Sequence, residues 1–145
     1  MVTSDPQPFP HQAGCIAIGG RGVLIEGPPG SGKSSLALAL IDRGAALVGD
    51  DGVMLRAQGT NLHADPPPAI LGLLEIRNVG LVRLDVARDV PVALAIRLDA
   101  DAPRYIEAAE QTTLCGIALP LVRLWPDSPI LALRAEWALK THGIG

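Results

Sequence analysis

The sequence is poor in aromatic residues and in positive charge. Its 145 residues include one Phe, one Tyr and two Trp, and the formal net charge is −3. A protein that follows a nucleic-acid backbone needs a basic surface, and one that binds single strands also uses aromatic stacking platforms. The composition therefore argues against nucleic acid as a partner.

Long apolar runs and a targeting segment are also missing. No stretch approaches the ~20 apolar residues of a membrane-spanning helix. The opening MVTSDPQPFPHQAG has neither the basic start nor the apolar core that directs secretion. Cys15 and Cys115 lie far apart in apolar contexts, so we expect buried thiols rather than a disulfide. These features predict a cytoplasmic protein with no membrane partner.

The hydrophobic residues that are present favour a layered α/β protein. They make up 48% of the chain, and with so few aromatics the core must consist of Leu, Val, Ile and Ala packed between layers. A chain of this length suits one domain. We therefore predict a single domain over residues 1–145, with residues 1–13 flexible.

The first half of the chain predicts strand, loop and helix in that order. Cys15 to Ile25 has the pattern of two short strands separated by glycines. After a glycine-rich loop, Ser34 to Arg43 has the composition of a helix, and Gly44 is placed to end it. Ala45 to Val48 is a further apolar strand that runs into Asp50 and Asp51.

The second half is β-rich and closes with a helix. Ser128 as N-cap and Pro129 at the first helical position predict where that helix begins, and Gly143 where it ends. Its predicted packing residues are Ile130, Leu133, Trp137 and Ala138. Short apolar runs predict strands at Val53 to Ala57, Leu73 to Arg77, Leu81 to Leu84, Pro91 to Leu98 and Leu119 to Leu124.

The segment GPPGSGKS, from Gly27 to Ser34, matches the phosphate-binding pattern G-x-x-x-x-G-K-[S/T] at every fixed position. Its glycines let successive backbone N–H groups face a phosphate, and the following helix adds its positive N-terminal dipole. Lys33 would reach the β- and γ-phosphates, and the Ser34 hydroxyl would ligate magnesium. The predicted nucleotide-binding residues are Gly27, Pro28, Pro29, Gly30, Ser31, Gly32, Lys33, Ser34 and Ser35.

Asp50 and Asp51 follow the strand after the phosphate-loop helix. In an open α/β sheet this position brings them to the same edge as the loop. Because adjacent side chains point different ways, one carboxylate would face a metal ion and the other an incoming hydroxyl, as a general base does. The alternative is a simple turn, since Asp-Asp-Gly is also good turn chemistry.

Glu75-Ile76-Arg77 places a carboxylate and a guanidinium on one face of a short strand. Glu75 would complete a magnesium shell together with Ser34 and Asp50. The alternative is an exposed face with a salt bridge. His11 and Arg104 are weaker candidates for catalysis, because each is more often a solvated surface residue than a catalytic one.

The run HQAGCIAIGGRGVLIEGPPGSGKSSLALALIDRGAALVGDDGV, His11 to Val53, resembles the catalytic core of bacterial HPr serine kinase/phosphorylase. A histidine precedes two strands, the phosphate-loop helix ends in an Arg-Gly pair, and two aspartates follow the next strand. LEIRNVGLV, Leu74 to Val82, is similar to the family's Glu-Ile-Arg segment. The chain resembles the short proteobacterial form, without the amino-terminal domain of longer members.

The resemblance implies a fold, site roles and partners. The fold would be the P-loop kinase core shared with phosphoenolpyruvate carboxykinase, β-rich with a phosphate-loop helix and a C-terminal helix. Lys33 would bind phosphates, Ser34 and Glu75 would hold magnesium, and Asp51, with Asp50 beside it, would act on the substrate hydroxyl. ATP and Mg²⁺ would be the cofactors, HPr the protein substrate, and a homo-oligomer, hexameric in the family, the assembly.

The implied activity is an ATP-dependent protein serine kinase that regulates the phosphotransferase system and carbohydrate metabolism. The family also runs the reaction in reverse, as a phosphoserine phosphorylase. Two other interpretations remain: a small-molecule P-loop kinase, and a non-enzymatic nucleotide-sensing module. The sensor would keep the phosphate loop but would not need Asp51 or Glu75.

Overall fold

The computed structural model describes residues 7–145. Residues 1–6, part of the stretch 1–13 expected to be flexible, lie outside that range, whereas residues 9–11 of the same stretch form a strand. The elements are β1 Phe9–His11, β2 Gly14–Ile18, β3 Arg21–Glu26, α1 Lys33–Asp42, β4 Ala46–Gly49, β5 Val53–Gln58, β6 Asn61–Asp65, β7 Leu73–Ile76, β8 Gly80–Arg83, β9 Val90–Leu98, β10 Glu110–Leu114, β11 Ile117–Leu124 and α2 Leu131–His142.

The main sheet places the predicted site at one edge. Its order is β1-β5-β6-β9-β3-β2-β4, with β11 also on β9 and β10 on β11. β3, β9 and β11 are mutually parallel. β4 runs the same way as β3 because both are antiparallel to β2. The carboxyl ends of these four strands therefore meet at a single edge, where ligands of open α/β sheets bind.

Local sequence explains the two elements that frame the phosphate loop. Gly19 and Gly20, both at positive φ (56° and 81°), make the tight turn between β2 and β3. α1 ends in a glycine cap, with Gly44 at φ 107°. This conformation lets the Gly44 N–H donate to the Ile41 carbonyl and the Ala45 N–H donate to the Leu40 carbonyl.

Two apolar clusters pack on opposite faces of the sheet. On β3, Val23 and Ile25 belong to the cluster under the helices, whereas Leu24 between them belongs to the other, as the two-residue period of a strand requires. The helices contribute buried side chains from Leu36, Ala37, Leu40, Leu131, Ala135, Ala138 and Leu139. The second cluster also contains Val53 and Leu55 of β5 and Leu62 and Ala64 of β6.

The C-terminal helix ends before Gly143 and buries Ala138 as predicted, but its start and the rest of its packing face differ. It begins at Leu131. Ser128 lies in the turn before it, where its hydroxyl accepts the Ile130 N–H at 3.2 Å and its carbonyl accepts the Leu131 N–H at 3.3 Å. The buried residues of the helix are Leu131, Ala135, Ala138 and Leu139, whereas Trp137 is 63% exposed, with the Lys140 ammonium 4.7 Å from its ring centre. A cation over the ring face stabilises an exposed Trp.

Of the two cysteines, only one is buried as expected. Cys15 lies in the core, but Cys115 is exposed in the turn between β10 and β11, at φ 50°. Both thiols are free. Within residues 7–145, neither helix has the length and apolar character needed to cross a membrane.

Candidate active site

The phosphate loop connects β3 to α1, as the sequence predicts. β3 ends at Glu26 and α1 begins at Lys33, with Gly32 as its N-cap. The Ser31 N–H donates to the Pro28 carbonyl at 3.1 Å, which closes a turn inside the loop. Gly30 and Gly32 adopt φ values of 78° and 100°, which side chains with a Cβ rarely tolerate.

Gly27 is required for a steric reason as well. A Cβ at this position would approach the Ser31 Oγ at 2.7 Å and the Leu98 Cβ at 3.2 Å. Ser31 Oγ is itself buried and has no hydrogen-bond partner. The loop is therefore packed tightly against β9 and holds one unsatisfied hydroxyl.

The first turn of α1 has the chemistry of an anion site. Its N-cap gives no side-chain hydrogen bond, and no acidic residue lies in the first turn, so the orphan N–H groups of the helix end remain available. The Lys33 ammonium donates to the carbonyls of Gly27 at 2.8 Å and Pro28 at 3.3 Å. A lysine ammonium held by loop carbonyls beside the free N–H groups of a helix N-terminus is suited to phosphate.

The two aspartates have different surroundings. Asp50 accepts the Ser34 hydroxyl at 2.7 Å through Oδ1, and the Glu75 N–H at 3.4 Å through Oδ2. Asp51 has φ 57°, a left-handed backbone, and its side chain is exposed at the same opening. One carboxylate is thus fixed beside the phosphate-loop serine while its neighbour is open to a substrate.

The β7–β8 hairpin forms the opposite wall. Glu75 and Arg77 both face the opening, and Ile76 contributes to it as well. Leu74 is fully buried against α1, which anchors the hairpin. Asn78 turns the chain at φ 69°, a conformation that Asn adopts more readily than other residues with a Cβ.

These walls enclose an open cavity of about 580 Å³, within the range of small-molecule sites. The structure therefore brings together Lys33, Ser34, Ser35, Asp50, Asp51 and Glu75, with glycines of the loop. The lining residues that sequence reasoning did not single out are Gln12, Leu38 and Ile76. No sequence signal marks Gln12 beyond its place next to His11.

His11 is not among the residues that line the cavity. Its Nε2 lies 3.1 Å from Glu26 Oε2, while Arg97 donates to Glu26 Oε1 at 2.8 Å and 3.2 Å. The hydrogen bond to His11, together with Arg97, lowers the pKa of the Glu26 carboxyl although its partial burial opposes this. Glu26 is an acidic residue at the end of an apolar strand, directly before the phosphate loop. That position is the sequence signal from which a charged partner for Glu26 could have been expected.

Arg104 is likewise outside the cavity. It is exposed in the loop after β9, whose ordered contacts are made by other residues: the Trp125 indole donates to the Ala102 carbonyl at 2.6 Å, and Asp99 pairs with Arg123 at 3.2 Å. Although Arg104 follows an Asp-rich loop in the sequence, it does not line the cavity at the phosphate loop.

The chain offers few ligands for a metal ion by itself. Across residues 7–145, no three His, Cys, Asp or Glu side chains are grouped to hold one. Mg²⁺, however, is commonly bound by one or two carboxylates plus substrate phosphates. Ser34 Oγ and Asp50 Oδ1, 2.7 Å apart beside the uncapped helix, fit that mode.

Sheet, loop and helix together define an α/β protein of the P-loop class. Residues 9–89 match the family model described as HPr Serine kinase C-terminal domain, and the chain belongs to that family. The resemblance found in the sequence is thereby confirmed.

Curated relatives match about half to four fifths of the chain and extend well beyond it. An HPr kinase/phosphorylase of Chlorobium chlorochromatii is 34% identical over an alignment of 128 residues, and the match covers 79% of this chain and 38% of that protein. One of Shouchella clausii is 47% identical over 70 residues, which is 48% of this chain and 23% of that protein. The chain thus spans less than half the length of these relatives.

A solved structure agrees over nearly the whole fold. The Hpr(Ser) kinase/phosphatase from Coxiella burnetii superposes with a TM-score of 0.80 at 27% identity, covering 91% of this chain and 94% of that one. The predicted fold class, a β-rich kinase core with a phosphate-loop helix and a C-terminal helix, is therefore confirmed.

Proposed function

We propose that the chain is an ATP- and Mg²⁺-dependent protein serine kinase whose substrate is the phosphocarrier protein HPr. One observation carries the proposal: an uncapped phosphate-loop helix with Lys33 opens into the same cavity as the Asp50–Asp51 pair. A nucleotide sensor needs the first feature but not the second. The names of the Chlorobium and Coxiella proteins support HPr as the acceptor.

The phosphate loop would hold the triphosphate of ATP. The N–H groups of Gly30, Gly32, Lys33, Ser34 and Ser35 face the phosphates in this proposal. Lys33 exchanges its two carbonyl contacts for phosphate oxygens, which bind an ammonium more strongly. The cavity volume accommodates a nucleotide's phosphates with room for an acceptor side chain.

The charges on the cavity walls explain why a divalent cation is needed. Asp50, Asp51 and Glu75 face Lys33 and Arg77, so the walls carry one more formal negative charge than positive. A triphosphate beside three carboxylates is repelled unless a cation lies between them. Ser34 and Asp50 would hold Mg²⁺, with Glu75 on the far side, and the ion would neutralise charge on the phosphates.

Asp51 is the proposed general base. Its carboxylate takes the proton of the acceptor serine as the serine oxygen bonds to the γ-phosphorus of ATP. The bond from that phosphorus to the bridging oxygen breaks, and ADP leaves with the electron pair. In the phosphorylase direction, the same carboxylate would deprotonate inorganic phosphate, which attacks phosphoserine to give pyrophosphate and free serine.

The test is phosphoryl transfer from labelled ATP to purified HPr in the presence of Mg²⁺. We expect transfer by the unaltered chain, no nucleotide binding by Lys33→Ala, and nucleotide binding without transfer by Asp51→Asn. A general base contributes about 10²–10⁴-fold. Asp42→Asn, the same charge change at the exposed end of α1, is the matched control and should transfer normally.

The outcomes separate the three interpretations. Nucleotide binding without phosphoryl transfer to HPr or to small hydroxyl compounds would favour a sensor. Phosphoryl transfer to small hydroxyl compounds alone would favour a small-molecule kinase. Transfer to HPr that survives Asp51→Asn would remove the base assignment. Incubation of phospho-HPr with inorganic phosphate tests the phosphorylase direction, and sedimentation equilibrium tests the hexamer.

A further inference from the structure

Two strand registers converge on Gln12, the residue after β1. β1 pairs antiparallel with β5, with His11 opposite Val53. Gln12 directly follows His11, and Val53 lies two residues after Asp51. The pairing of β1 with β5 thus brings the segment that holds Gln12 next to the segment that holds the proposed base.

The second register brings the same residue to the phosphate loop. β2 pairs antiparallel with β3, with Gly14 opposite Ile25. Gln12 precedes the start of β2 by two residues, and Gly27, the first glycine of the loop, follows Ile25 by two residues, so both lie near the same end of the β2–β3 pair. Gln12 is exposed and lines the cavity together with Gly27.

A tight turn makes the side chains of His11 and Gln12 point in different directions. The Ala13 N–H donates to the His11 carbonyl at 3.1 Å, an i to i+2 contact that reverses the chain sharply. His11 is turned towards Glu26, at 3.1 Å, while Gln12 faces the cavity. The segment therefore presents an amide to the site rather than an imidazole.

We propose that the Gln12 side-chain NH₂ donates a hydrogen bond to the phosphoryl group as it is transferred. The inference rests on the proposed function and deepens it. Charge in the transition state is spread over the three phosphoryl oxygens, and a donor aimed at such developing charge contributes more in the transition state than in the bound substrate. A carboxamide stays neutral and keeps its two N–H donors across the working pH range.

His11 has a different task. Glu26 is held on one oxygen by His11 and on the other by Arg97, so the imidazole would have to leave a paired carboxylate to reach substrate. Glu26 is the last residue before the loop. His11 is accordingly a positioning residue that acts through Glu26 on the root of the phosphate loop.

The experiment compares Gln12→Ala and Gln12→Met with His11→Gln in the full chain. We measure kcat and KM for labelled phosphoryl transfer to HPr, and the Kd of a fluorescent ATP analogue with Mg²⁺. Both Gln12 variants should lose roughly 10²-fold or more in kcat, with nucleotide Kd within about 2-fold of the unaltered chain. His11→Gln should keep the shape of the kcat pH profile, and any loss should come as a weaker nucleotide Kd.

Gln12 is exposed, so its replacement removes no core packing. If both Gln12 variants transfer phosphate at the unaltered rate, the inference is wrong while the proposed function stands. The inference is also wrong if His11→Gln abolishes a limb of the pH profile with nucleotide Kd unchanged. If the unaltered chain binds nucleotide but transfers nothing to HPr, the proposed function fails and the inference with it.

Discussion

Gly49→Ala tests the link between the sheet and the aspartate pair. Gly49 is the last residue of β4, is buried, and directly precedes Asp50. A Cβ built on it would overlap the carbonyl oxygen of Gly52 and would lie 3.2 Å from Pro67 Cδ. The overlapping atom belongs to the backbone, so no side-chain rotation relieves it. Either the strand end or the turn carrying Asp51 must move.

The magnitude follows from the kind of contact. Adding a methyl group to a packed interior costs about 1–3 kcal/mol when backbone must shift. For a chain of this size we expect a drop in Tm of roughly 3–10 °C. If Asp51 is the base, as proposed, a displacement of its carboxylate by ~1 Å costs on the order of 10²-fold in rate, so phosphoryl transfer should fall further than stability alone explains.

The assay is thermal and urea unfolding followed by circular dichroism, with transfer to HPr measured on folded protein. Gly52→Ala is the matched control in the same turn, because its Cβ would meet no heavy atom within 4 Å. Because alanine lowers the conformational entropy of the unfolded chain, that variant should be neutral or stabilised by about 0.4–1 kcal/mol. Equal unfolding free energies for the two variants would refute the reasoning.

Three further predictions concern pH, thiol reactivity and the hairpin. Folding lowers the pKa of the Glu26 carboxyl. The ionised carboxylate therefore stabilises the fold above its unfolded pKa of about 4.3, and this contribution is lost as the pH falls through the lower folded pKa. The difference in unfolding free energy between the unaltered chain and Glu26→Gln, measured by urea titration, should be larger at pH 7 than at pH 3. Burial raises the pKa of Cys15 to about 12, so a thiol reagent at pH 8 should label one cysteine, Cys115, in the folded chain and two in denaturant; labelling of both when folded would contradict the burial. Leu74→Ala should cost about 2–5 kcal/mol and weaken transfer, whereas Leu81→Ala, 69% exposed on the same hairpin, should change neither, as calorimetry and the transfer assay will show.

The phosphate loop and the aspartates could be located from sequence because each depends on local pattern. The glycines, Lys33 and Ser34 occupy fixed spacings between an apolar strand and a helix. Asp50 and Asp51 follow the next strand, and the parallel direction of that strand carries them to the same edge. The structure brings these residues together, while their chemical roles stay predictions.

Two of the three strands that were not anticipated, β10 and β1, lack the pattern on which prediction rests, whereas the third, β6, alternates between buried and more exposed residues. β10, Glu110–Leu114, is polar and mostly exposed on both faces, so its sequence shows no apolar period. β1 is three residues long and contains a proline. Both exist because a neighbouring strand offers hydrogen-bond partners, which no local propensity records.

By itself the sequence determined the phosphate loop, the order of strand and helix around it, and the family to which the chain belongs. Only the tertiary structure decided that His11 turns to Glu26 and Gln12 to the cavity, and that Trp137 lies outside the core. Spacing along the chain specifies local conformation, because the relevant interactions are between near neighbours. The direction of a side chain at a strand end or on a helix face depends on partners far away in sequence, and these meet only when the sheet has formed.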